Sequence, residues 1–137
     1  MRADSFLSFY LKTSTIRVFN RSIKKIDYPH FVRFLIHPTK LQIAMTAYYK
    51  KELTSFRVPR NLLNGDPRAC LSIHSKKLCG LVARKMGWED GRSYRIPGEM
   101  LQSKKAFVFY LEDAVEVTRA DVPSIENVPF FSRVSPT

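Results

Sequence analysis

The chain has 137 residues, 45% hydrophobic and 12% aromatic, which is enough for a packed interior and argues against wholesale disorder. That length suits one domain, or two half-domains sharing a core, and no apolar run approaches the ~18 residues of a membrane span. The net charge is +11, from 23 Lys and Arg against 12 Asp and Glu, and it is unevenly spread. Residues 1–88 carry 17 basic and 4 acidic side chains, whereas residues 89–137 carry 6 and 8. Such an asymmetry fits a polyanionic partner, because each neutralised phosphate releases counterions.

In chain order, residues 1–14 read as an N-terminal arm whose Phe6, Phe9 and Tyr10 pack on the core or on a partner chain. Its apolar stretch FLSFYL (6–11) is shorter than the ~7–15-residue core of a signal peptide, so a cytoplasmic protein is expected. TIRVF (15–19) alternates and is β-branched, the pattern of a strand. NRSIKKIDY (20–28) holds one helical turn, with Asn20 or Ser22 as N-cap and Ile23 and Ile26 turned inward, and Pro29 stops it. HFVRFLIHPTKLQIAMTAY (30–48) is the clearest hairpin, with Pro38 suited to the second position of its turn. SFRVP (55–59) adds a short strand, and RNLLNGDPRA (60–69) is a loop broken by Asn-Gly and Asp-Pro.

The second half begins again with a strand, ACLSIH (69–74), after which Ser75 caps a helix running through Met86. Leu78, Leu81, Val82 and Met86 share its apolar face, and Gly80 suggests close packing at that point. Gly87 is placed for a left-handed C-cap with Trp88 closing over the helix end, and Gly91 serves the turn that follows. SYRIP (93–97) and KAFVFYL (105–111) are strands around a loop at 98–104, and residues 118–137 are an extended tail containing VPFF (128–131). The expected core combines Ile16, Val18, Phe34, Ile36, Ile43, Ile73, Leu78, Val82, Trp88, Tyr94, Ile96, Phe107 and Phe109.

The two halves match in pattern. Residues 15–68 and 69–117 each read strand, helix, strand, strand, and neither unit has enough apolar surface to stand alone. The expected fold class is therefore α+β, mainly β, with two pseudo-repeated strand-helix-strand-strand units sharing one core. LSIHSKKLCGLVARKMGWEDGRSYRI (71–96), with Ile73 in its strand, Met86-Gly87-Trp88 at the helix end and Asp90-Gly91 in the turn, resembles the AbrB/SpoVT-type swapped-hairpin DNA-binding domains. The tandem arrangement is similar to their MraZ-like branch, and the chain as a whole resembles small proteins of Gram-positive bacterial genomes and mobile elements. The resemblance implies a DNA-binding transcriptional regulator that acts as a homodimer.

Catalytic signatures are weak. Glu89 and Asp90 are adjacent turn carboxylates, His30, His37 and His74 lack a nucleophile elbow or an acidic orienter, and no Gly-rich phosphate loop is present. Cys70, His74 and Cys79 have a C-x3-H-x4-C spacing, but no further pair completes a four-ligand zinc site. The expectation is a buried thiol and a surface imidazole, no metal, no cofactor and no enzyme. The basic residues carry the functional reading: Arg17, Arg21, Lys24, Lys25 and Arg33 around the first strand and helix, and Lys76, Lys77, Arg84 and Lys85 around the second helix. Lining one face, they would contact nucleic acid, with duplex DNA favoured. AYYKKE (47–52) interleaves tyrosine and lysine as a stacking platform for single strands would, and an exposed turn explains it as well. The alternative function is a protein-interaction or assembly module using the apolar arm and VPFF.

Overall fold

The structure, a computed structural model, describes residues 4–64, 69–101 and 105–117. Its strands are β1 (Ser5–Tyr10), β2 (Thr15–Phe19), β3 (Phe31–Ile36), β4 (Gln42–Tyr48), β5 (Ser55–Arg57), β6 (Cys70–His74), β7 (Ser93–Leu101), β8 (Ala106–Tyr110) and β9 (Val115–Glu116). Helix α1 spans Asn20–Lys25 and helix α2 spans Lys76–Met86, with 3-10 turns at Arg60–Asn64 and Leu111–Asp113. The strands form one nearly closed antiparallel sheet in the order β5-β3-β4-β8-β7-β1-β2-β6, and β9 lies against β7. The α+β, mainly β class is thus observed.

Alternation along strands such as β2 and β6 builds the interior. Ile16 and Val18 of β2 face inward beside Leu71 and Ile73 of β6, because the register pairs Ile16 with Ile73 and Val18 with Leu71. Phe107 and Phe109 point inward from β8, and Ile43 and Met45 from β4, where the pairs are Met45–Phe107 and Ile43–Phe109. These residues, with Ile23 and Ile26 near α1 and Cys79 and Val82 of α2, form a single buried cluster drawn from both halves of the chain. Every residue of the expected core is buried or packed against that cluster, with Phe34, Ile36, Leu78 and Trp88 only partly covered. Each fully buried large side chain contributes about 1.5–3 kcal/mol relative to exposure.

Several expectations need correction. Residues 5–10 are a strand inside the sheet, paired with β2 on one side and β7 on the other, rather than an arm. Leu7 and Phe9 are fully buried there, and the backbone groups of β1 are satisfied by both neighbours. Neither Asn20 nor Ser22 caps α1; its N-cap is Phe19, while the buried Asn20 donates from Nδ2 to the Leu62 carbonyl at 3.3 Å. Residues 98–101, read as loop, extend β7 because β8 pairs with them from Gly98–Phe109 to Leu101–Ala106.

Helix α2 follows its sequence signals closely. The Ser75 side chain accepts from the Leu78 amide at 3.1 Å, and Gly87 adopts φ +67° as the C-cap. Trp88 then stacks on Tyr94, with ring centroids 4.1 Å apart, and meets the edge of Phe9. Two details differ: Leu81 is exposed, and a methyl group at Gly80 would meet only the end of the Arg84 side chain, at 3.4 Å. The expected tail at 118–137, including VPFF, and the Gly65-Asp66-Pro67 part of the loop lie outside the described residues.

Candidate nucleic-acid interface

The outward positions of the β2–β6 ribbon alternate with its core positions. Arg17 is exposed at mid-strand, between the buried Ile16 and Val18 and opposite Ser72. Because β2 and β6 run antiparallel, α1 leaves the ribbon at its Phe19–Cys70 end and α2 at its Thr15–His74 end. Five-residue strands at ~3.4 Å per residue separate these ends by roughly 14 Å. Arg21, Lys24 and Lys25 are exposed on α1 at one end, and Lys76 and Lys77 are exposed in the first turn of α2 at the other. Arg84 and Lys85 are exposed in the last turn of α2.

The electrostatics of these positions differ. Lys24, Lys25, Arg84 and Lys85 sit in the last turns of their helices, where the helix dipole favours cations. Lys76 and Lys77 sit in a first turn that holds no acidic residue, where the dipole disfavours them. Among the described residues the ion pairs join Arg92 to Glu116 at 2.6 Å and to Glu89 at 3.4 Å, and none of the nine expected basic residues is in one. Helix stability therefore does not explain Lys76 and Lys77.

Arg33 does not join the others. It lies on β3, which pairs with β4 and β5, whereas β2 pairs with β1 and β6. The chain neighbours β2 and β3 are thus five strand steps apart along the sheet, although the sequence suggested one cluster. Arg33 is half-buried and its guanidinium lies over the Tyr48 ring, 4.5 Å from the centroid.

Among the described residues that contact is one of four of its kind. Arg17 lies over Tyr10 at 5.3 Å and Arg95 over Phe6 at 5.7 Å, on the outer face of β2, β1 and β7. Arg57 lies over Phe31 at 5.5 Å, on the outer face of β5 and β3 beside Arg33 and Tyr48. Arg57 and Arg95 were missing from the sequence-based set. Each meets its aromatic partner across a strand pairing between residues 26 or more apart in sequence, so only outward strand parity could have flagged them.

The remaining polar candidates make local contacts. The His37 Nδ1 accepts from the amides of Thr39 and Lys40 at 3.1 and 3.0 Å and so ties the β3–β4 turn. The His74 Nδ1 is 3.2 Å from the Thr15 hydroxyl, and His30 meets the edge of Tyr49. Cys79 faces the core, where burial pushes its thiol up to about 11, whereas Cys70 and His74 occupy outward positions on β6. The C-x3-H-x4-C residues therefore diverge, and among the described residues no group of three metal-ligating side chains forms. No helix among these residues is long and apolar enough to cross a membrane. No protein-family profile, curated protein or solved structure matches the chain.

Proposed function

We propose that this is a non-enzymatic nucleic-acid-binding protein that grips the phosphate backbone through the basic residues along the β2–β6 ribbon and its two helices. The observation that carries the reading is a set of exposed cations at Arg17, Arg21, Lys24, Lys25, Lys76 and Lys77, none in an ion pair among the described residues, two of them held where the helix dipole opposes them. Helix stability alone favours an acidic residue at those two positions, whereas phosphate binding calls for a cation such as Lys. The specific form is a homodimeric DNA-binding regulator, supported by the order of β6, a Ser-capped and Gly-capped α2, and β7 along residues 71–96.

A two-unit organisation is part of the same reading. It is supported by the antiparallel pairing of β2 with β6 and of β4 with β8, each pair joining corresponding strands of the two halves. A fluorescence-anisotropy titration of a short duplex across salt tests the function. Log K should fall with log salt, and reversing Lys24, Lys25, Lys76 and Lys77 to Glu should weaken every duplex about equally and reduce the slope by about 3–4. Absence of duplex binding at low salt, or binding indifferent to salt, overturns it. Light scattering during size exclusion checks the dimer.

A further inference from the structure

A second face, away from the β2–β6 ribbon, has a different chemistry. On β3 and β4 the inward positions are Val32 and Met45, both fully buried, so Phe31, Arg33 and Tyr48 point outward. The register sets Arg57, Phe31 and Tyr48 in one row across β5, β3 and β4. Ser55, Arg33, Thr46, Ala106 and Leu101 form the next row across β5, β3, β4, β8 and β7. Arg57 lies over Phe31 within the first row, and Arg33 reaches from the second row over Tyr48 of the first, so two guanidiniums pair with two rings.

The rim continues the pattern: Tyr49 is 59% exposed, and Lys50 and Lys51 after it are exposed. Beyond Thr46 the face opens into an apolar groove of about 510 Å³ lined by Leu35, Ala44, Leu101, Ala106 and Val108. The acidic group facing Tyr48 is Glu52, and a hydrogen bond from the phenol to its carboxylate raises the Tyr48 pKa. Arg33 has no ion pair among the described residues, and its buried Nε has no hydrogen-bond partner. Stacking on Tyr48 therefore holds its guanidinium, and among the described residues no carboxylate forms an ion pair with it.

Cations alone would serve a duplex, which presents phosphates and hides its bases. Aromatic and guanidinium planes add affinity only when bases are unstacked and free to lie on them. We propose that the outer face of β5, β3 and β4 binds single-stranded nucleic acid, with bases stacked on the Arg33–Tyr48 and Arg57–Phe31 pairs, and phosphates held by Lys50 and Lys51. The site extends the nucleic-acid reading above to a second face and rests on that reading.

The test titrates the full chain and its variants with fluorescent oligo(dT), oligo(U) and a blunt duplex of the same length, at several salt concentrations. Tyr48→Ala should weaken single-strand binding about 5- to 100-fold and leave duplex binding within about twofold, while Tyr48→Phe retains single-strand binding. Arg33→Lys keeps the charge and loses the plane, so it should weaken single-strand binding with the salt slope unchanged. A further oligo(dU) arm set against oligo(U) identifies the sugar, because oligo(dT) also differs from oligo(U) by a base methyl group. Single-strand binding unchanged in both Tyr48→Ala and Arg33→Lys overturns the proposal, as does an equal loss on duplex and single strand. A parent protein that binds the duplex but neither single strand sinks this inference alone, whereas one that binds no nucleic acid sinks the proposed function as well.

Discussion

Gly98 and Gly80 should respond to the same methyl group with opposite signs. Gly98 is buried in β7 between Ser5 of β1 and Phe109 of β8. A Cβ there would lie 2.5 Å from both the Phe109 ring and the Val108 carbonyl oxygen, inside any permitted contact. Phe109 cannot retreat easily, because it stacks on Phe107 with centroids 5.0 Å apart and both are fully buried. Overpacking costs about 1–3 kcal/mol, and a backbone obstacle argues for the upper end. Reduced unfolded-state entropy returns about 0.4–1 kcal/mol, leaving Gly98→Ala destabilising by roughly 2 kcal/mol. With a urea m-value of about 2 kcal/mol/M, the midpoint falls by about 1 M. Gly80→Ala instead meets only the flexible end of Arg84, at 3.4 Å, and gains up to ~1 kcal/mol of helix propensity, so its midpoint rises by up to about 0.5 M. Urea unfolding followed by Trp88 fluorescence reads both. A Gly98→Ala protein as stable as its parent, or shifts of the same sign, would refute the packing argument.

Lys77→Glu should stabilise α2 by about 0.3–1 kcal/mol through the helix dipole while weakening duplex binding, and a thermal melt with a parallel anisotropy titration separates the two effects. Phe107→Ala empties the centre of the core and should cost about 3–5 kcal/mol; a loss under 1 kcal/mol in urea would contradict its full burial. The Cys79 thiol, raised to about 11 by burial, keeps its proton when folded at pH values where the unfolded chain has lost it. The stability this contributes is complete below the unfolded thiol's pKa and declines as pH rises from about 9 to about 11. Urea midpoints across that window should therefore fall more steeply in the parent than in Cys79→Ala, and parallel slopes would contradict the assignment. Ser75→Ala removes the acceptor for the Leu78 amide and should cost about 1 kcal/mol, read from the same unfolding curves.

Local physics made much of this protein legible in its sequence. Ser75 and Gly87 mark the ends of α2 because orphan amides and carbonyls there need a hydroxyl acceptor and a left-handed residue. The alternation of TIRVF selects the core face of β2 because strand side chains switch sides at every residue, whereas AFVFY of β8 is apolar throughout and buried at its first four positions. The β3–β4 hairpin was visible because its partners are joined by a short turn. Long-range pairing was another matter. FLSFYL carries the alternation of a strand, but nothing local says that β2 and β7 will flank it, so it read as an arm. Gly98 read as a loop glycine until β8 supplied the neighbour that makes its missing side chain necessary. The candidate surfaces divide in the same way. Charge counts identified the basic residues, since charge is a property of the residue alone. Strand order then separated Arg33 from Arg17 and brought Arg33 to Tyr48 and Arg57 to Phe31, because which outward side chains meet is decided by cross-strand register, and register is set by the whole sheet closing around one core.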